Sequence, residues 1–190
     1  MDTHKRPPAY TQDSAGVLQN LRTSLTGLSS QEAQRRLEEN GSNELGEPPH
    51  FFLQKFMDGF RGIFIPKSHP IRQKKLSSQV MRDGELKEIS SNQLVVGDIV
   101  YLEKGDNVPA DIRLLETNNL QIEDKKHLIC QKDADVILPV NTELDEHVNM
   151  AYHSTCVKNG SGVGIVVNTR LDNAEAPICL TGESHLIQTI

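Results

Sequence analysis

The sequence predicts a mainly β fold with N-terminal helices, and three observations predict it. Residues 94–115 run Leu-Val-Val-Gly-Asp-Ile-Val-Tyr-Leu and on to Ile-Arg-Leu-Leu, with Gly97-Asp98, Gly105-Asp106 and Pro109 as punctuation. Branched apolar runs broken by such pairs are the pattern of half-buried strands joined by tight turns. Val80 to Leu86 carries Asp83-Gly84, a hairpin turn pair, and Ile165 to Val167 is a further branched run. Upstream, Val17, Leu18, Leu21 and Leu25 recur at helical spacing instead.

A chain of 190 residues has room for one domain of about 100–150 residues and an extra segment. With 36% hydrophobic but only 4% aromatic residues, its core must be mostly aliphatic. The net charge of −6, with no Lys/Arg cluster to reverse it, argues against a nucleic-acid partner. Cys130, Cys156 and Cys179 are far apart and odd in number, which fits reduced thiols better than a disulfide framework. His127 and Cys130 make one metal half-site that nothing completes. No apolar run approaches the roughly 18–20 residues of a membrane span, and Met1 to Pro8 lacks the core of a secretory signal. The chain reads as soluble or surface-bound.

In order, residues 1–14 form a polar, proline-containing tail. A helix over about 14–25 follows, stopped by Gly27. Ser29-Ser30-Gln31-Glu32 is a capping box, opening a helix through Ala33 and Leu37 that Asn40-Gly41 ends. All five phenylalanines, Phe51, Phe52, Phe56, Phe60 and Phe64, fall in one window. The last four are spaced by four and share one side of a helix. That stripe either packs on the β domain or on a neighbouring helix, or lies on a membrane with Lys55 and Arg61 in water. A polar, basic linker occupies residues 66–76.

Downstream, Gly160, Gly162 and Gly164 precede the branched run Ile165 to Val167. There the glycines supply the turn and Ile165 to Val167 the buried strand. Asp98, Asp106 and Asp111 are expected to cap turns or accept backbone hydrogen bonds. His147 and His153 flank a strand start, as packed or exposed groups rather than catalytic ones. No P-loop, nucleophile elbow or HExxH motif occurs.

The stretch LVVGDIVYLEKGDNVPADIRLLE, residues 94–116, resembles the actuator-domain signature of cation-transporting P-type ATPases. GLSSQEAQRRLEENGSNEL, residues 27–45, resembles the N-terminal helical segment of the same pumps. The resemblance spans roughly residues 16–60 and 78–190; in it Leu120 to Asp124 is similar to the strand that leads to the catalytic loop, and Asn149 to Val157 with Gly160 to Val167 to the family's closing hairpin. It implies an N-terminal helical segment and linker over 1–77 and a distorted jelly-roll actuator domain over 78–190, on the calcium-pump-like branch. It also implies a place on the cytoplasmic side of a membrane in the parent pump. The partners implied are the pump's phosphorylation and nucleotide-binding domains, with a membrane surface reached through Phe52, Phe56, Phe60 and Phe64. No cofactor is expected in this chain; Mg-ATP is implied for the parent. Two membrane helices that such pumps carry before the actuator domain have no counterpart here, and Asp-Lys-Thr-Gly-Thr is absent. The chain by itself is therefore not expected to pump.

The family's Thr-Gly-Glu-Ser should follow Asp124 closely, yet residues 125–132 read KKHLICQK, without a glutamate. The motif stands instead at Thr181, Gly182, Glu183 and Ser184. Either it is a displaced or duplicated catalytic loop, or residues 170–179 are the ordinary continuation and the motif follows by accident. Carried over from the family, Glu183 would position and deprotonate the water that attacks an aspartyl-phosphate. Gly182 would let the backbone approach the phosphate, and Thr181 and Ser184 would shape the loop. The bland reading of Glu183 is a solvated surface carboxylate. The function expected is the actuator portion of a pump; the alternative is a non-catalytic module docking on a pump or membrane surface.

Overall fold

Alternation of apolar side chains builds a single sheet. In the computed structural model, which describes residues 7–43, 77–124 and 127–169, β1 (Ser77–Arg82) and β2 (Glu85–Ser90) form a hairpin. Its turn residues Asp83 and Gly84 hold φ of 55° and 76°, as a two-residue hairpin turn of the primed type requires. The other strands are β3 (Ile99–Glu103), β4 (Asp111–Glu123), β5 (Ile129–Gln131), β6 (Met150–Ala151) and β7 (Cys156–Asn168). All pairings are antiparallel, in the order β2-β1-β3-β7-β4-β5 with β6 also on β4. The mainly β class with N-terminal helices is as the sequence predicts.

Period two sorts the strands into two apolar faces. Val80, Val100, Leu102, Ile112, Leu114, Leu120, Ile122 and Val166 make the main core, closed by Leu94, Val108 and Val157. On the opposite face Ile99, Leu115 and Ile165 lie under α1 (Ser14–Asn20), which brings Val17, Leu18 and the following Leu21. The helix α2 (Ser30–Asn40) sets Ala33 and Leu37 against Leu28 and Val95. Fully burying one such aliphatic side chain is worth about 1.5–3 kcal/mol.

Four expectations are corrected. Leu94 to Val96 is not a strand: Leu94 and Val95 are buried, but in a loop that precedes β3. There the Asp98 carboxylate accepts from the Val95 amide at 2.9 Å, and Gly97, at φ 100°, donates to the Val166 carbonyl at 2.8 Å. An apolar run reports burial, not which backbone carries it. The first helix ends at Asn20 rather than near residue 25. Arg22 has φ 51° and Leu25 is 55% exposed, because only the first turns reach the sheet. Leu120 to Glu123 is the end of β4, not a separate strand. Finally, Gly160 to Gly164 form no turn but lie inside β7, facing β4 along its length.

The last correction explains the distortion of the sheet. The β4–β7 register breaks at four places, and Asn119 takes φ 49° at one of them. A Cβ on Gly160 would sit 2.2 Å from the Asn119 carbonyl oxygen, and one on Gly164 2.2 Å from Ile112 Cγ2. The glycines let the two longest strands approach where they bend.

The N-terminal segment is fastened to this sheet. Ser29 Oγ accepts from the Glu32 amide at 3.1 Å, as a cap should, but the Glu32 carboxylate turns to Arg35 and Arg36 instead of reaching back. Arg36 donates to the Val96 carbonyl at 2.8 Å, and the Ser30 amide to Asp83 at 2.8 Å. Asn43 Nδ2 reaches the Ser91 and Pro109 carbonyls, both at 3.0 Å. Ser77 pairs with Ser90, and Ser78 Oγ lies 2.7 Å from Ser91 Oγ. Asn43 and Ser77, the described residues on either side of 44–76, thus both lie on one short stretch, residues 90–92.

Candidate functional site

The resemblance directs attention to the connection after β4. Gln121, Ile122 and Glu123 pair with Gln131, Cys130 and Ile129 of β5. The turn between them is closed on itself. The Asp124 amide donates to the Leu128 carbonyl at 3.0 Å, and Asp124 Oδ1 accepts from the Leu128 amide at 2.9 Å. The His127 amide donates to the Asp124 carbonyl at 3.1 Å, with His127 at φ 63°.

The Glu123 carboxylate is equally engaged. Lys158 Nζ of β7 lies 2.6 Å from one oxygen and His127 Nδ1 3.3 Å from the other. The Lys158 hydrogen bond, helped by His127 and opposed by desolvation, holds Glu123 below the usual carboxylate range. The same bond raises Lys158. A general base works best with a pKa near the operating pH; Glu123 is shifted the other way, into a stable ion pair. Among the described residues the turn therefore presents acceptors that are already taken.

The acidic residues of the 94–116 stretch have structural tasks. Asp98 is fully buried and receives Arg82 at 2.6 and 2.9 Å along with the Val95 amide. Asp106 accepts from the Glu103 amide at 2.8 Å, and Asp111 from the His153 amide at 3.0 Å and Asn168 Nδ2 at 3.2 Å. These are the roles expected of them. Cys130 and Cys156 are half-buried free thiols. Among the described residues no three His, Cys, Asp or Glu side chains converge on a metal-sized space. Thr181, Gly182, Glu183 and Ser184 lie outside the described residues, as do Cys179 and Phe52, Phe56, Phe60 and Phe64.

Sequence reasoning missed two groups. Arg113, at 0% exposure, fans its guanidinium over backbone carbonyls from three stretches of chain. It donates to Ala9 at 3.2 Å, Gln12 at 3.0 Å, Ala134 at 3.1 Å and, more distantly, Val136 and Asn149, with a short contact to Leu114. The available signal was a cation between Ile112 and Leu114, on the strand's opposite face. The second group is His147, buried against Tyr10 and Tyr152, where nothing in the spacing marks a contact across more than a hundred residues.

Comparison with known proteins finds two matching families: the P-type ATPase actuator domain over residues 72–179 and the cation transporter/ATPase N-terminus over residues 9–65. The cation-transporting ATPase pma1 of Synechocystis sp. is 45% identical over 93 residues, covering 47% of this chain and 10% of that protein. The calcium-transporting ATPase of Bacillus subtilis is 29% identical over 210 residues, covering 85% of this chain and 24% of the relative. The sodium/potassium exporting P-type ATPase 1 of Saccharomyces cerevisiae is 31% identical over 151 residues, 75% of this chain and 13% of that one. The chain spans at most about a quarter of the length of these curated relatives.

Proposed function

The chain belongs to the P-type ATPase actuator-domain family, with the cation transporters' N-terminal segment before it, and from that premise we propose that it acts in a cation pump by docking. It engages the phosphorylation and nucleotide-binding domains of such a pump from the cytoplasmic side of the membrane and governs when the aspartyl-phosphate is hydrolysed. The observation that carries a docking role is the β4–β5 turn. Where the family resemblance expects the Thr-Gly-Glu-Ser catalytic loop, the chain has a turn whose Glu123 is paired with Lys158 and whose Asp124 holds the Leu128 amide. Mg-ATP belongs to the parent pump. Calcium is the ion proposed, on the printed name of the Bacillus subtilis relative, which is matched over most of this chain.

A second reading keeps the chemistry in the chain. Its support is the complete Thr181-Gly182-Glu183-Ser184 motif, with Glu183 as the base that prepares the attacking water. A base about 1 Å out of place loses roughly a hundredfold in rate, so this reading requires the motif to reach the place the β4–β5 turn vacates. The actuator-family match ends at residue 179, before the motif, which favours docking.

One experiment separates the two. A phosphorylated catalytic fragment of a related pump, lacking its own actuator, is mixed with this chain or with Glu183→Gln. Docking without a base predicts binding and the same phosphate decay in both mixtures. Decay faster by tenfold or more with the unsubstituted chain alone moves the assignment to Glu183, and failure of either protein to bind the fragment removes the docking role itself.

A further inference from the structure

Residues 132–149 link β5 to β6 as a strap, and the N-terminal segment is seated on it at Tyr10. The Leu138 amide and Asn149 Nδ2 donate to the Tyr10 carbonyl at 3.1 and 2.8 Å, and Tyr10 O–H donates to the Val140 carbonyl at 2.7 Å. The ring of Tyr10 lies on the imidazole of His147, centroids 4.0 Å apart and 28° from parallel. His147 is 5% exposed.

The partners of that imidazole fix its protonation state. Nε2 lies 3.2 Å from the Thr142 carbonyl oxygen; a carbonyl only accepts, so Nε2 carries the hydrogen. Nδ1 then holds a lone pair and accepts from Tyr152 O–H, which it meets at short range. Both nitrogens are satisfied when the ring is neutral. A second proton would face the Tyr152 oxygen with a donor and oblige that hydroxyl to turn its own hydrogen elsewhere. It would also set a cation beside Lys132, a buried ammonium that donates to the His147 carbonyl at 3.1 Å. Asp145 and Glu146 stand on the short turn Leu144–Glu146 just before the ring, and Tyr10 and Tyr152 pack on it.

We propose that Tyr10, His147 and Tyr152 form an acid-sensitive latch: protonation of His147 releases Tyr10 from the strap, between the Ala9 and Gln12 carbonyls that Arg113 continues to hold. The latch depends neither on the transported ion nor on the source of any base. Burial of the ring lowers the His147 pKa from its ordinary value, and Lys132 adds to this, while the Thr142 hydrogen bond, Asp145 and Glu146 oppose it. Released from the Tyr10 ring, the imidazole loses part of that burial and its pKa rises back toward the ordinary histidine value of about 6.5. The sign follows: the undocked state binds the proton first, so docking is complete above about pH 6.5 and weakens as pH falls. The docking equilibrium drops by up to about tenfold per pH unit until the docked ring itself is protonated.

The test uses the full chain, isotopically labelled, between pH 7.5 and 5.0. Glu32, held to about 2 by Arg35 and Arg36, contributes only below this window. Protection of the Leu138 amide, corrected for intrinsic exchange, is expected to fall about tenfold per pH unit below 6.5, in step with the His147 ring shift. The double variant His147→Phe, Tyr152→Phe keeps the stacked rings without the proton site and is expected to flatten the profile. Unchanged protection in the parent chain, or the same fall in the double variant, overturns the latch. Should the double variant not fold, the parent decides: a His147 midpoint that departs from the protection midpoint also overturns it.

Discussion

At Gly164 a single methyl group separates a tolerated backbone from a clash. An added Cβ would meet Ile112 Cγ2 at 2.2 Å and the Arg113 carbonyl oxygen at 2.8 Å, at the centre of the β4–β7 contact. Gly105, at φ 97°, has nothing within 4 Å of the same atom. Gly164→Ala is therefore expected to cost about 1–3 kcal/mol by overpacking, and Gly105→Ala only the left-handed backbone penalty of about 1–2 kcal/mol. Urea unfolding of both variants checks this; the reverse order would mean that β4 can yield. The φ of Gly105 was legible, since Gly-Asp between two apolar runs announces a turn. The role of Gly164 was not, because the atoms that crowd it belong to a strand some fifty residues earlier. Arg113 is opaque for the same reason: its acceptors at Ala9 and Gln12 lie about a hundred residues upstream.

Among the elements, the β1–β2 hairpin followed directly from Asp83-Gly84, and α2 from its Ser29 cap and Gly41 stop, since each signal is local. The loop before β3 needed tertiary information. It is held by the Asp98–Arg82 pair, with Asp98 at 0% and Arg82 at 12% side-chain exposure. Removing one member of a buried pair strands the other, at about 3–5 kcal/mol. Asp98→Ala is expected to lose stability in that range in denaturant unfolding, because it also frees the Val95 amide. A loss below about 1 kcal/mol would show that water reaches Arg82 and takes over. The β4–β5 turn stood apart in the sequence only as a missing glutamate; its closure by Asp124 and by Lys158 from β7 became visible with the fold.

Across the whole molecule, Asn43 and Ser77, the described residues on either side of 44–76, both lie at residues 90–92. If Phe52, Phe56, Phe60 and Phe64 meet lipid, anionic vesicles should bind the parent chain, and Phe56→Ser with Phe60→Ser should weaken binding about a hundredfold, taking about 1.5 kcal/mol or more per ring. Equal sedimentation of both proteins with vesicles would assign the stripe to protein packing instead. The Arg113 fan has a mechanical meaning for an actuator. A pull on residues 9–12 is delivered through the guanidinium to β4, an interior strand laced to β7 on one side and to β5 and β6 on the other. Residues 9–12 are thus tied to an interior strand that several hydrogen-bonded ladders hold, rather than to one edge of the sheet.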